Sequence, residues 1–404
     1  MKKILNHFPW IRNKIKTAYL YLKYLKYGKG YRQRSQHNFM KISLNNEESF
    51  FGYYDKFPQQ NNNILFCSTP YKTSALPSPE IPLKICIYDT IKSVARIATT
   101  TNSYNWQQGC RAHWIDNDRF IYNDFVESTY QAIVFDIKQG KKTKQYDIPV
   151  QDSYRDIFFL SINYRRLRTL RPDYGYYNLP PMCKKELQTI DNDGIWYVDM
   201  HTGKSNLLIT IKSVVDLRAK YPDKTYHKIN HVMISPNGDK FVFMHRWFCD
   251  DKKTDHLFLS DLKGDTRLIS DYGMVSHYSW VTNDVLFGYM AGPEGNGYYR
   301  INVNDDTFLK LEDSNFIQYG DGHPSCGKSG FVADTYPDKG RMQYLFRYSF
   351  VNHDFESLGE FFHGINFQNE SRCDLHPRYA KEYRSVFFDS IFTGRRQLYK
   401  MELE

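Results

Sequence analysis

The chain has 404 residues, more than a single ordinary core supports, so a repeat architecture, a large barrel or several domains must organise it. Aromatics make up 17% of it, with 33 Tyr and 28 Phe, and Asn, Asp, Gly and Pro punctuate the aromatic runs, a composition that favours strands and turns. The net charge of +9 sits at one end: residues 1–46 hold eleven of the 54 Lys and Arg and no acid, leaving 43 bases against 45 acids elsewhere and no case for a nucleic-acid partner. Seven cysteines, an odd number with no CxxC pair, read as reduced thiols in a cytoplasmic protein and argue against a zinc-cysteine site.

In chain order, Ile4, Phe8, Ile11, Ile15, Ala18, Leu22 and Leu25 recur at helical spacing, with Lys and Arg filling much of the rest. A basic amphipathic helix is expected, lying on an anionic membrane surface through residues 1–26; the alternative is a helix packed on its own domain. No apolar run reaches the length of a membrane span, and charges interrupt every candidate signal sequence. The expectation is a cytoplasmic protein, peripheral on the inner membrane. Residues 27–39 read as a linker, giving a helix-and-linker unit over 1–38 and a second unit over 39–404.

From residue 39 onward the chain repeats at roughly 40–60 residues per unit. FGYYDKFP (51–58), WQQGCRAHW (106–114), FFLSINY (158–164), HKINHVMISPNGDKFVFMHRW (227–247), SHYSWVTNDVLFGYM (276–290), YGDGHPSCGKSGFVADTY (319–336) and CDLHPRYAKEYRSVFFDS (373–390) each fall in one unit. A unit couples a polar, often histidine-bearing segment to an apolar strand and a tight turn such as Pro236-Asn237-Gly238. Seven such units predict an all-β fold, a seven-bladed β-propeller with the basic helix at its N-terminus. The strand Phe39 to Leu44 is expected to complete the last blade, and the insert 165–192 to cover one face.

In a propeller the blade-opening strands line the central channel, so polar residues distant in sequence converge there. His113, His227, His231, His245, His277, Gln318, Asp321, His323, Asp374 and His376 hold such positions. Gln318-x-x-Asp321-x-His323 sets three nitrogen or oxygen ligands within six residues, and His277 adds a fourth. That donor set suits a divalent metal such as Mn²⁺, Fe²⁺ or Zn²⁺; a plain turn at Asp321-Gly322 is the alternative. His245 beside Arg246 offers a proton acceptor next to a carboxylate clamp, with His231 a further catalytic candidate. Tyr53, Tyr54, Asp55, His113, Tyr174, Asp374, His376 and Arg378 are expected to line a sugar site, since Tyr supplies flat faces and hydroxyls. There is no phosphate cradle and no G-x-S-x-G elbow.

The segments SPNGDKFVFMHRW, SHYSWVTNDVLFGY, CDLHPRY and GRRQLYKMEL resemble the propellers of the oligogalacturonate lyase family and its TolB-like relatives. FGYYDKFP, GDGHPS and HPR resemble propeller proteins of bacterial capsule and O-antigen gene clusters. The resemblance covers residues 48–403 as architecture. It implies a divalent metal, typically Mn²⁺, on three histidines and a glutamine. His277, Gln318 and His323 match those positions, and Asp321 departs from the pattern by replacing a histidine. It also implies His245 as the base of a β-elimination on a uronic acid, with the metal or Arg246 neutralising the substrate carboxylate. The expected function is a lyase on an acidic surface polysaccharide or oligosaccharide. Hydrolysis or glycan transfer using Asp55, Asp321 and Asp374, and a non-catalytic glycan-binding or protein scaffold, are the alternatives.

Overall fold

The structure is a computed structural model that describes residues 9–217, 221–222, 225–250, 252–380 and 384–403, with side chains from residue 14 onward except that of residue 380. Seven antiparallel sheets follow one another along the chain and form a seven-bladed β-propeller. The innermost strands are Glu48–Phe50, His113–Trp114, Asp152–Tyr154, Tyr226–Ile234, Val275–Thr282, Ser325–Gly327 and Arg378–Ala380, for blades one to seven.

The strand Lys240–Cys249 shows why the sequence makes blades. Phe241, Val242, Phe243 and Met244 are consecutive, apolar and buried. Side chains alternate across a strand. Phe241 and Phe243 therefore join the core shared with blade three, beside Phe158, Leu160 and Ile195. Val242 and Met244 join the core shared with blade five, beside Trp280 and Leu286. A strand apolar on both faces is stable only when sheets cover it on both sides.

The ring closes through the N-terminal strand Phe39–Ile42, which completes blade seven by pairing with Leu398–Met401. The stretch expected as a linker is not wholly free of structure: Gln33–Arg34 pair with Glu360 and Phe361 on the outer edge of blade six. Arg396 ties the seam. Its guanidinium donates to the carbonyls of Trp106, Ser371 and Arg372 and to Thr73 Oγ1.

Helix α1 (Pro9–Tyr27) lies against blades six and seven. Lys16 Nζ donates to Asn369 Oδ1 at 3.0 Å, Gln368 Nε2 donates to Thr17 Oγ1 at 3.2 Å, and Tyr24 packs on Phe362 at 5.2 Å. Ile4 and Phe8 of the expected stripe lie outside the described residues. No helix among the described residues is long and apolar enough to cross a membrane. The insert carries helices α2 (Tyr164–Leu170) and α3 (Lys184–Gln188), pinned by buried Arg166, which donates to Asp193 and to the carbonyls of Leu187, Thr189 and His227.

Blade one departs from the regular pattern. Glu48–Phe50 and Gln59–Gln60 pair with the same neighbouring strand, and the eight residues between them leave the sheet. These residues, FGYYDKFP, plug the channel and reach five other blades. Asp55 pairs with Arg111, Lys56 with Asp152, Tyr53 with His231, Tyr54 with Tyr278, and the Phe51 and Gly52 amides with Asp389. Gly52 sits at φ +127°, and a Cβ there would stand 2.8 Å from the Gln108 carbonyl oxygen. Only glycine meets both conditions.

Candidate functional site

Next to the plug, which touches it through Tyr53 and His231, lies a cavity of about 280 Å³, lined among others by Arg171, Tyr174, Asn230, His231, Arg246, Lys253, Asp255, His277, Asp321 and Tyr336. Blade four supplies Asn230 and His231 together because its inner strand bulges between Asn230 and Met233. The bulge breaks the alternation, so two consecutive side chains face the cavity. It also holds His231 at φ +53°. His231 Nε2 contacts the Tyr53 hydroxyl, and its Nδ1 is buried without a hydrogen bond. Burial, then the neighbouring His277 and Lys228, hold the ring well below the ordinary histidine range, so it is neutral.

Beside His231 the histidines cluster. The His277 and His323 ring centroids are 4.0 Å apart, and those of His323 and His376 are 4.4 Å apart. One carboxylate fixes two of them. Asp334 Oδ1 accepts from the His323 amide and from its Nδ1, both at 2.8 Å, and Oδ2 accepts from the His376 amide at 2.9 Å. His376 Nδ1 donates to the Gly52 carbonyl at 2.9 Å. In their neutral form both rings therefore carry the proton on Nδ1, and each turns an Nε2 lone pair inward. Both Nε2 atoms are buried without a hydrogen bond. Asp374 completes the group, with the three ligand atoms within 4.8 Å of one another. Burial would raise the Asp374 carboxyl, but Arg372, whose Nε stands 2.8 Å from both oxygens, drives it far below the carboxylate range. Burial alone would lower the His323 pKa, but the Asp334 carboxylate beside Nδ1 more than offsets it and raises it. Two orphaned imidazole nitrogens and a permanent carboxylate fit a borderline divalent metal, and Asp334 and the Gly52 carbonyl orient the ligands from behind.

The sequence-predicted residues divide on this geometry. His231, His277, Asp321, Tyr174 and Arg246 line the cavity, and His323, Asp374 and His376 form the neighbouring cluster. Tyr53 and Tyr54 pack among these rings, Tyr53 5.0 Å from His376 and Tyr54 5.4 Å from His323. Asp321 stands behind a histidine, accepting from Ser276 Oγ at 2.6 Å and lying 3.5 Å from His277 Nδ1.

Five expected residues are placed elsewhere. His245 does not share a site with Arg246. Adjacent strand residues face opposite ways, so Arg246 enters the cavity while His245 stacks on His227 at 5.2 Å. Gln318 caps the short helix α5 (Ser314–Ile317) that follows α4 (Ile211–Asp216) in the chain, and it is exposed and donates to Asn315 O. Asp55 is locked in a buried bidentate pair with Arg111, and His113 has both ring nitrogens engaged, by the Arg111 carbonyl and Ser153. Arg378 is buried against the Tyr53 and Gly52 carbonyls and Asp389, so it holds the plug rather than a ligand.

Other participants went unread in the sequence. Asp255 pairs with Arg246, Lys228 is buried with its Nζ 3.0 Å from Asn230 Oδ1, and Asp334, Arg372, Lys253 and Tyr336 surround the histidines. One of these pairs leaves a signal. Positions 246 and 255 are equidistant from the turn joining Lys240–Cys249 to Lys252–Asp261 and face each other when the hairpin folds.

No family model matches the chain, and no curated protein does. Solved structures do. An oligogalacturonate lyase in complex with manganese superposes with a TM-score of 0.63 at 14% identity, covering 93% of this chain and 95% of that one. An oligogalacturonate lyase from Vibrio parahaemolyticus gives 0.56 at 12%, covering 92% and 98%. A prolyl endopeptidase gives 0.50 at 9%, covering 88% of this chain and 50% of that one. At these identities the likeness is one of fold.

Proposed function

We propose that the protein is a lyase that cleaves a uronate-containing polysaccharide or oligosaccharide by β-elimination, with His231 as the base. The observation that carries this reading is the placement of the His231 imidazole, with Nε2 on the Tyr53 hydroxyl and Nδ1 without a partner, in a cavity lined also by Arg171, Arg246 and Lys253. Abstraction of the proton at C5 of a uronate needs a neutral base and positive charge near the carboxylate, because the carbanion delocalises into it. With Nε2–H donated to the Tyr53 oxygen, the Nδ1 lone pair takes the C5 proton. The C–H electrons form the C4–C5 double bond, the C4–O4 bond breaks, and the leaving oxygen is protonated from solvent. A divalent ion on His323, Asp374 and His376 would supply further positive charge for the substrate carboxylate.

Hydrolysis is less well supported. A glycosidase pairs a nucleophilic or basic carboxylate with a carboxylic acid kept protonated. Burial opposes ionisation of Asp55, Asp321 and Asp374, but Arg111, His277 and Arg372 respectively outweigh it, and all three are lowered. None of the three is suited to act as the acid.

The test is incubation with polygalacturonate and other uronate polysaccharides, following the ultraviolet absorbance of the unsaturated uronate and the release of reducing ends. Both signals rising together is the expected result. New reducing ends without the absorbance would establish hydrolysis. Binding without either signal would establish a glycan-binding scaffold.

A further inference from the structure

Helix α1 turns its apolar stripe away from the protein. Ile15, Tyr19, Leu22 and Leu25 follow one another at spacings of four and three and therefore share a face, and they are 53%, 56%, 65% and 64% exposed. The opposite side, with Thr17, Leu20 and Tyr24 half-buried, is the one that docks on blades six and seven. A helix that owed its place only to the propeller would show the reverse arrangement. Lys23 borders the stripe and Lys26 lies on it in the last turn, and the helix contains no acidic residue. Beside it a cleft of about 870 Å³ opens between helix and propeller, with Phe362, Phe367 and Ile391 in its wall and Lys14 and Arg32 among its lining.

We propose that this face is a docking surface for an anionic lipid bilayer, with α1 lying in the plane of the interface and tethered to the propeller by its other side. Charge decides between the possible occupants. A second copy of the chain would bring the same base-rich, acid-free segment, setting Lys23 and Lys26 against their equivalents. A polyanion without an apolar phase would leave Ile15, Leu22 and Leu25 in water. A bilayer of anionic lipid meets both requirements, taking the Leu and Ile side chains below the headgroups with Tyr19 and Tyr21 at their level. The proposal is independent of the reaction assigned to the cavity.

The test is co-sedimentation of the full chain with phosphatidylcholine vesicles and with mixed phosphatidylglycerol–phosphatidylcholine vesicles, alongside light scattering without lipid. The wild type is expected to sediment with the mixed vesicles only and to be released by salt. The double variant Tyr19→Glu/Leu22→Glu, altered at exposed positions, should keep its melting temperature and lose at least about tenfold in partitioning. Lys26→Glu should weaken binding and flatten its salt dependence. Equal partitioning of the double variant and wild type overturns the proposal, as does no sedimentation of the wild type with mixed vesicles. A wild-type dimer that the double variant converts to monomer, without lipid binding, would make the face a self-association surface instead.

Discussion

The Tyr53 hydroxyl meets His231 Nε2, joining the channel plug of blade one to the bulged inner strand of blade four. Arg378, through the Tyr53 and Gly52 carbonyls, fixes one partner, and the left-handed backbone of His231 fixes the other. A non-glycine residue at φ +53° costs about 1–2 kcal/mol, and such strain concentrates where a side chain must be aimed. His231→Asn keeps a residue that tolerates this backbone and removes the base. It is expected to lower kcat by about 10²- to 10⁴-fold with little change in melting temperature. Tyr53→Phe removes only the hydroxyl and should change kcat less while displacing the acid limb of the pH profile. If His231→Asn turns over as fast as wild type, His231 is not the base.

Metal binding separates the histidine cluster from the Gln318 motif that suggested it. Mn²⁺ titrated into the metal-free protein should lose its free-ion electron paramagnetic resonance signal and raise the melting temperature. A ligand at a hundredfold excess over its Kd stabilises by about 2.7 kcal/mol. His376→Ala and Asp374→Asn should each abolish both effects, because each removes one of three converging ligand atoms. Gln318→Ala should leave both unchanged, since that side chain is exposed and bonded to Asn315. Loss of binding in Gln318→Ala would place the metal elsewhere.

The propeller was legible because its signal is local and repeated. Runs such as Phe241 to Met244, apolar on both faces, recur with turn residues between them and allow little else. Convergence of His231, His277, His323 and His376 also followed, since blade-opening residues share one axis. What failed depended on single-residue geometry. The strand alternation that separates His245 from Arg246 was available, but the bulge that brings His231 round is not written in the apolar pattern. The helix capped by Asp313 carries Gln318 outward, and four residues of that length give no periodicity to read. FGYYDKFP offers aromatic and polar side chains that suggest a sugar-site lining, and only the fit of Asp55 to Arg111 and of Tyr54 to Tyr278 makes it a plug. Asp334 and Arg372 matter through packing between blades, which one strand's sequence does not carry.

Acid should destabilise the protein through its buried neutral histidines. His227 shows the sign. Burial, then Arg166, lower it to about 4, whereas in the unfolded chain it titrates near 6.5. Between those values the unfolded state binds more protons, so stability is fully present above about pH 6.5 and falls as pH drops toward 4. The shift corresponds to about 3 kcal/mol for this one group. Urea denaturation at a series of pH values should therefore show a steeper acid loss for wild type than for His227→Gln. Parallel profiles for the two proteins would contradict this assignment.

Asp55, expected from the sequence to line the sugar site, is paired with Arg111 in the plug. Its carboxylate receives Arg111 Nη1 at 2.9 Å and Nη2 at 2.7 Å, and both side chains are almost completely buried. Arg111 also donates to the Gln151 carbonyl, so the pair joins the plug to the seam between blades two and three. Removing one partner of a buried pair strands the other charge, at a cost of about 3–5 kcal/mol. Asp55→Asn should accordingly lower the denaturation midpoint, while the folded fraction keeps the wild-type KM. The double variant Asp55→Asn/Arg111→Met, which removes the stranded guanidinium, should recover part of the loss. A substrate-binding Asp55 would give the opposite pattern, a raised KM with stability intact, so measuring both on one preparation decides whether this carboxylate serves the ligand or the plug.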